Sequence, residues 1–140
     1  MRWLEGRVVL DSRPRQRVAC RAMWRTAHQG VGWLMIFTNG MAGTLCTTAH
    51  WVPSLRRRSL WWAVIAAEIV VAAQVVLGTV LLNTSKVQAP RFHMLYGFSA
   101  LFAVGILYAY RQQVRQYEFL LYGLGGLFIM GCGIRALLVS

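Results

Sequence analysis

The sequence predicts an all-α membrane protein, a four-helix transmembrane bundle running up-down-up-down as two helical hairpins. Three observations carry that reading. Apolar residues make up 57% of the 140, and Asp and Glu together number four, the balance of a chain whose outer surface meets lipid. Four apolar runs fill most of the length, near 28–51, 60–82, 92–110 and 118–139. The breaks between them hold proline or arginine: Pro53 with Arg56, Arg57 and Arg58, then Pro90 with Arg91, then Arg111 with Arg115. Such residues mark where a chain leaves a bilayer.

Residues 1–25 precede the first run and read as a basic N-terminal arm, separate from a transmembrane domain over 26–140. The arm is rich in arginine, its apolar patches are short, and Pro14 interrupts it, so it cannot span a bilayer and lacks the continuous apolar core of a signal peptide. It is read either as a disordered tail or as sequence lying ahead of a true start at Met23. The first apolar run follows from His28 to Trp51, softened by Thr38, Asn39 and Gly40. The second, Leu60 to Leu82, has the roughly 20 residues a spanning helix needs and contains Glu68 and Gln74. After the polar turn 83–91 the third run, Phe92 to Tyr110, ends at Arg111. The fourth, 118–139, is glycine-rich and carries Arg135 near its end. Connections this short make sequential helices antiparallel neighbours, so the first and third helices run parallel and face each other across the core.

The net charge of +11 would point to nucleic acid in a water-soluble protein. Here the arginines sit at the ends of apolar runs, where headgroups and the positive-inside bias account for them, so no nucleic-acid partner is expected. The expected partner is the lipid bilayer of the cell membrane, together with a larger respiratory or other membrane complex. Lys86 is the single lysine, a usage that fits a GC-rich bacterial genome. Cys20, Cys46 and Cys132 lack metal or disulfide spacing, and Cys46 and Cys132, which lie inside apolar runs, are expected to be packing residues. The sequence holds no nucleophile with a base and no phosphate loop, so stand-alone catalysis is not expected.

Two stretches echo each other. Arg25-Thr26-Ala27-His28-Gln29-Gly30-Val31-Gly32-Trp33 and Arg91-Phe92-His93-Met94-Leu95-Tyr96-Gly97-Phe98 each place a glycine four residues after a histidine. On a helix these positions share one face, so each glycine clears a notch beside its imidazole for a flat ligand or a neighbouring backbone. Both histidines begin their runs at the same membrane face, and Arg135, on the antiparallel fourth helix, returns to it. Two imidazoles across the core, Gly32 and Gly97 for room, and Arg135 with Arg25 or Arg91 for propionates are what a bis-imidazole b-type haem requires. The alternative is that His28 and His93 are interfacial residues, the glycines serve packing, and no cofactor binds: a scaffold subunit docking a larger complex. His50, beside Trp51 at the other face, reads as interfacial.

Deeper in the apolar runs lie Asn39, Glu68 and Gln74. Asn39 follows His28 by eleven residues, about three turns, which puts it on the same face near mid-membrane. Glu68 is expected at similar depth, facing the interior either protonated or paired, with a hydrogen bond to Asn39 or a backbone carbonyl as one reading and a proton- or quinone-linked role as the other. Three polar residues are too few for the pathway of a carrier or channel. Gly123, Gly126 and Gly133 form a small-residue stripe that lets membrane helices approach closely.

The order Gln74-Val75-Val76-Leu77-Gly78, a short polar loop, then His93 with Gly97 is similar to one half of the haem A synthase family, and His28 with Gly32 resembles the earlier histidine helix of that half. The resemblance covers the first three helices. It implies that His28 and His93 are haem ligands and that the chain holds haem or assists the assembly of a respiratory complex. The chain departs from the family in having half its usual length, in carrying Gln29 where an arginine follows the histidine, and in lacking the extracytoplasmic cysteine pair.

Overall fold

The computed structural model describes residues 13–85 and 88–140, and every regular element in them is helical. Helix α1 spans Arg13–Trp51, α2 Arg58–Ser85, α3 Arg91–Tyr110 and α4 Glu118–Leu138, with 3-10 turns at Pro53–Leu55 and Arg115–Tyr117. The first twelve residues of the basic arm, and Lys86, lie outside the described residues. Residues 13–25 are helical and continue into the first apolar run without a break. Pro14 falls in the first turn of α1, where a missing N–H removes no helical bond.

Three helices, α2, α3 and α4, are long and apolar enough to cross a membrane. The first helix has the length, but its apolar stretch is diluted by glycine and threonine. That polarity is largely internal. The hydroxyls of Thr38, Thr44, Thr47 and Thr48 donate to the carbonyls of Leu34, Gly40, Gly43 and Thr44 at 2.7–2.8 Å, so the side chains present little unmet hydrogen-bonding capacity to their surroundings.

Antiparallel contacts organise the helices around α1. Against α2, His28 meets Gln74 and Asn39 meets the carbonyl of Ala67. Against α4, Gly43 meets Gly126, and Gly133 meets Met35 and Ile36. In turn α4 packs on α3, through Leu107 against Gly125 and His93 against the carbonyl of Ala136. The backbones of α1 and α4 approach closely: a Cβ on Gly126 would lie 3.0 Å from both the Asn39 carbonyl oxygen and the Gly43 Cα. The expected glycine stripe on α4 is therefore a packing device, with Gly43 of α1 as its counterpart. Met35, Cys46, Ala49, Val71, Ile129 and Cys132 are buried among these helices, while Trp33, Phe37, Trp62, Phe102 and Phe128 stand exposed, as an apolar solvent favours. Both buried cysteines are free.

At the opposite end from His28, Arg56 closes the α1–α2 connection. Its Nε donates to the carbonyl of Ala49 at 2.9 Å and its Nη2 to that of His50 at 2.6 Å, satisfying two acceptors that the end of α1 leaves open.

Candidate functional site

His28 and His93 meet. Their ring centroids are 5.9 Å apart with planes at 60°, although the residues belong to helices that barely touch elsewhere and the chain passes through α2 between them. The meeting follows from the topology: α1 and α3 are each joined antiparallel to α4 or α2, which returns the starts of both helices to one end of the molecule.

Each ring is held by a partner. His93 Nδ1 lies 2.9 Å from the carbonyl oxygen of Ala136 on α4. Only an N–H can approach a carbonyl this way, so Nδ1 carries a proton, and the tautomer this contact selects is the one with its lone pair on Nε2. A histidine that binds a metal is commonly oriented by such a carbonyl contact. His28 Nε2 lies 3.3 Å from the Gln74 amide nitrogen on α2, and its Nδ1 is buried with no hydrogen-bond partner among the described residues. The Gln74 amide nitrogen can only donate, so His28 Nε2 accepts and its lone pair is engaged.

The glycines divide. Around Gly97 nothing lies within 4 Å of a built Cβ, so space is open beside His93. The Gly32 notch is filled: a Cβ there would meet Gln74 Nε2 at 3.1 Å. Gln74 in turn is one turn from Gly78, whose own missing side chain admits the edge of the His28 ring at 3.1 Å. Two i, i+4 pairs, His28 with Gly32 and Gln74 with Gly78, are therefore interlocked, each side chain seated over the other helix's glycine. Gly78 as the seat of His28 is the residue that reading the sequence helix by helix misses. Its signal is present, because the same spacing recurs on an antiparallel neighbour.

The cationic groups expected beside the histidines are at the same end and exposed. Arg25 lies one turn before His28, Arg91 opens α3, and Arg135 lies in the last turn of α4 with its guanidinium 5.7 Å from the centre of the Tyr96 ring. His50 stands at the other end, half-buried, 5.1 Å from the Trp51 ring and 6.0 Å from that of Tyr117. Asn39 is buried, and its amide nitrogen donates to Met35 at 2.9 Å and Ala67 at 3.4 Å rather than to the Glu68 side chain.

Imidazoles and arginines are the ligand and countercharge types that a b-type haem uses. The two rings lie edge to face 5.9 Å apart, with exposed arginines at the same end. Space is open beside Gly97, whereas Gln74 occupies the Gly32 notch. No group of three or more His, Cys, Asp or Glu is gathered to hold a bare metal ion among the described residues. Comparison of the chain with protein-family models, with curated proteins and with solved structures finds no match.

Proposed function

We propose that this membrane protein crosses the bilayer four times as an up-down-up-down bundle and holds a b-type haem between His28 and His93, serving electron transfer or the assembly of a respiratory complex. The observation that carries the reading is the approach of the two imidazoles to 5.9 Å at one end of the molecule. A haem ligated by two imidazoles supplies reversible one-electron transfer and leaves no open position for oxygen chemistry.

The chain's own residues have distinct parts in this reading. The Ala136 carbonyl fixes the His93 tautomer, and Gln74 holds the His28 ring from the α2 side. Gly97 leaves space beside the ligand pair. Arg25, Arg91 and Arg135 supply guanidinium groups that fork onto carboxylates at that end.

One observation favours the cofactor-free alternative. The interlocked fit of Gln74 over Gly32 and His28 over Gly78 is by itself a reason for those four residue types, and it would serve a scaffold subunit equally. An absorption spectrum of the protein purified from haem-replete cells separates the two. The expected result is a low-spin b-type spectrum that His28→Ala and His93→Ala each abolish and His50→Ala leaves intact. A colourless wild-type protein, or a spectrum that survives both substitutions, overturns the haem and leaves the scaffold.

A further inference from the structure

Away from the histidines, at mid-depth, the four helices border a small cavity of about 10 Å³ to which each contributes: Asn39 from α1, Glu68 from α2, Leu107 from α3 and Tyr122 from α4. Glu68 Oε1 is buried there with no hydrogen-bond partner among the described residues. None of the residues lining the cavity is basic. A carboxylate in such a place would be a charge within the bilayer that no cavity-lining group compensates, whereas a carboxylic acid is a neutral group with one donor and acceptor capacity to spare. The volume matches a single water, and a buried water needs two to four polar partners. Glu68, Tyr122 and Asn39, which line the cavity from three helices, carry such groups.

We propose that Glu68 is a proton-binding site in mid-membrane, linked by one water in this cavity to the Tyr122 hydroxyl and through it to the α3–α4 turn. Tyr122 is 8% exposed. The charged groups acting on it are Glu68 from within and Arg111 and Glu118 from the end of α3 and the start of α4. Arg111 also acts on Glu68. Tyr122 lines the cavity with Glu68 and sits one turn into α4 from Glu118, next to the charged α3–α4 turn. When the site discharges, the acid O–H bond breaks as the water takes that proton, and the water passes one of its own to the Tyr122 oxygen, which releases its original proton toward the turn. One proton reaches the aqueous phase and a carboxylate remains; recharging reverses each transfer.

Infrared spectroscopy of the full chain in lipid nanodiscs at neutral pH tests this directly. The wild type is expected to show the C=O stretch of a protonated carboxylic acid, shifting on transfer to heavy water, and Glu68→Gln is expected to remove the band. Tyr122→Phe should keep the band and slow its exchange on the order of a hundredfold, the loss expected when a positioned proton carrier is removed. A wild type with only ionised carboxylates overturns the site, as does a band that survives Glu68→Gln. Unchanged exchange in Tyr122→Phe overturns the route. Should Glu68→Gln fail to fold, a lipid-soluble carbodiimide, which reacts with protonated acids in apolar surroundings, decides on the wild type by peptide mass: an adduct on Glu68 supports the site, and an adduct on Glu118 alone refutes it. None of these readouts involves haem, so they stand or fall apart from the histidine pair.

Discussion

A methyl group placed on Gly43 would lie 2.8 Å from the backbone nitrogen of Leu127 and 2.9 Å from the carbonyl oxygen of Gly123. Neither atom can move without shifting α4. Gly43→Ala is therefore expected to destabilise the protein by about 1–3 kcal/mol, the range of an overpacked interior. Gly30, where a Cβ would meet nothing within 4 Å, is the control: Gly30→Ala should be neutral or stabilising, since it restricts only the unfolded chain. Unfolding titrations of both variants in mixed detergent check the pair, and equal stabilities would mean that the α1–α4 approach is looser than described. At this scale the sequence was partly legible. The α4 stripe of Gly123, Gly126 and Gly133 announces itself by spacing, as do the two histidines. What each glycine faces is not encoded locally: Gly32 and Gly97 read alike, yet one is filled by Gln74 and the other is open, because the filling side chain comes from another helix.

The helices themselves were the most legible feature, since a spanning run is a local property and arginine or proline marks its ends. The boundaries of α2, α3 and α4 fall within a few residues of the runs at 60–82, 92–110 and 118–139. The N-terminal reach of α1 was not legible, for a physical reason: apolar runs report burial, and the described side chains from Val18 to Ala22 are exposed. Helix continues there on propensity alone, with Ala19, Arg21, Ala22 and Met23 among the better helix formers. The other end of α1 depends on a tertiary cap. Arg56 donates to Ala49 and His50 across the turn, and its guanidinium lies 5.3 Å from the centre of the Phe119 ring. Arg56→Ala should cost about 1 kcal/mol, a charged hydrogen bond discounted for its exposure. Arg57→Ala should change stability little, and hydrogen exchange at the last turn of α1 should rise only in the first variant. Equal exchange in the two would remove the cap.

For the molecule as a whole, α1 decides how the chain sits in the bilayer. Among the described residues, α2, α3 and α4 are the helices long and apolar enough to cross a membrane. Yet α1 lies antiparallel along α2 from His28 against Gln74 to Asn39 against Ala67, and along α4 from Met35 against Gly133 to Thr47 against Gly123. A helix so placed shares the depth of its neighbours, and its threonines meet their hydrogen bonds within the helix, which lowers the cost of lipid around it. The proposed four crossings put both termini on one side; three would put tags at the two ends on opposite sides. Which side is a contest between charge clusters. Seven arginines precede the first run and Lys86 and Arg91 share their face, whereas Arg56, Arg57, Arg58, Arg111 and Arg115 occupy the other. The three consecutive arginines and the α3–α4 turn lie close against the ends of spans in short loops, where positive charge orients helices most strongly, so they are expected in the cytoplasm and the N-terminus outside. With Cys20 removed, Arg57→Cys should resist a membrane-impermeant thiol reagent applied to intact cells and react once the membrane is opened. Labelling from outside would reverse the orientation, placing the histidine pair on the cytoplasmic side and directing the Glu68 route outward.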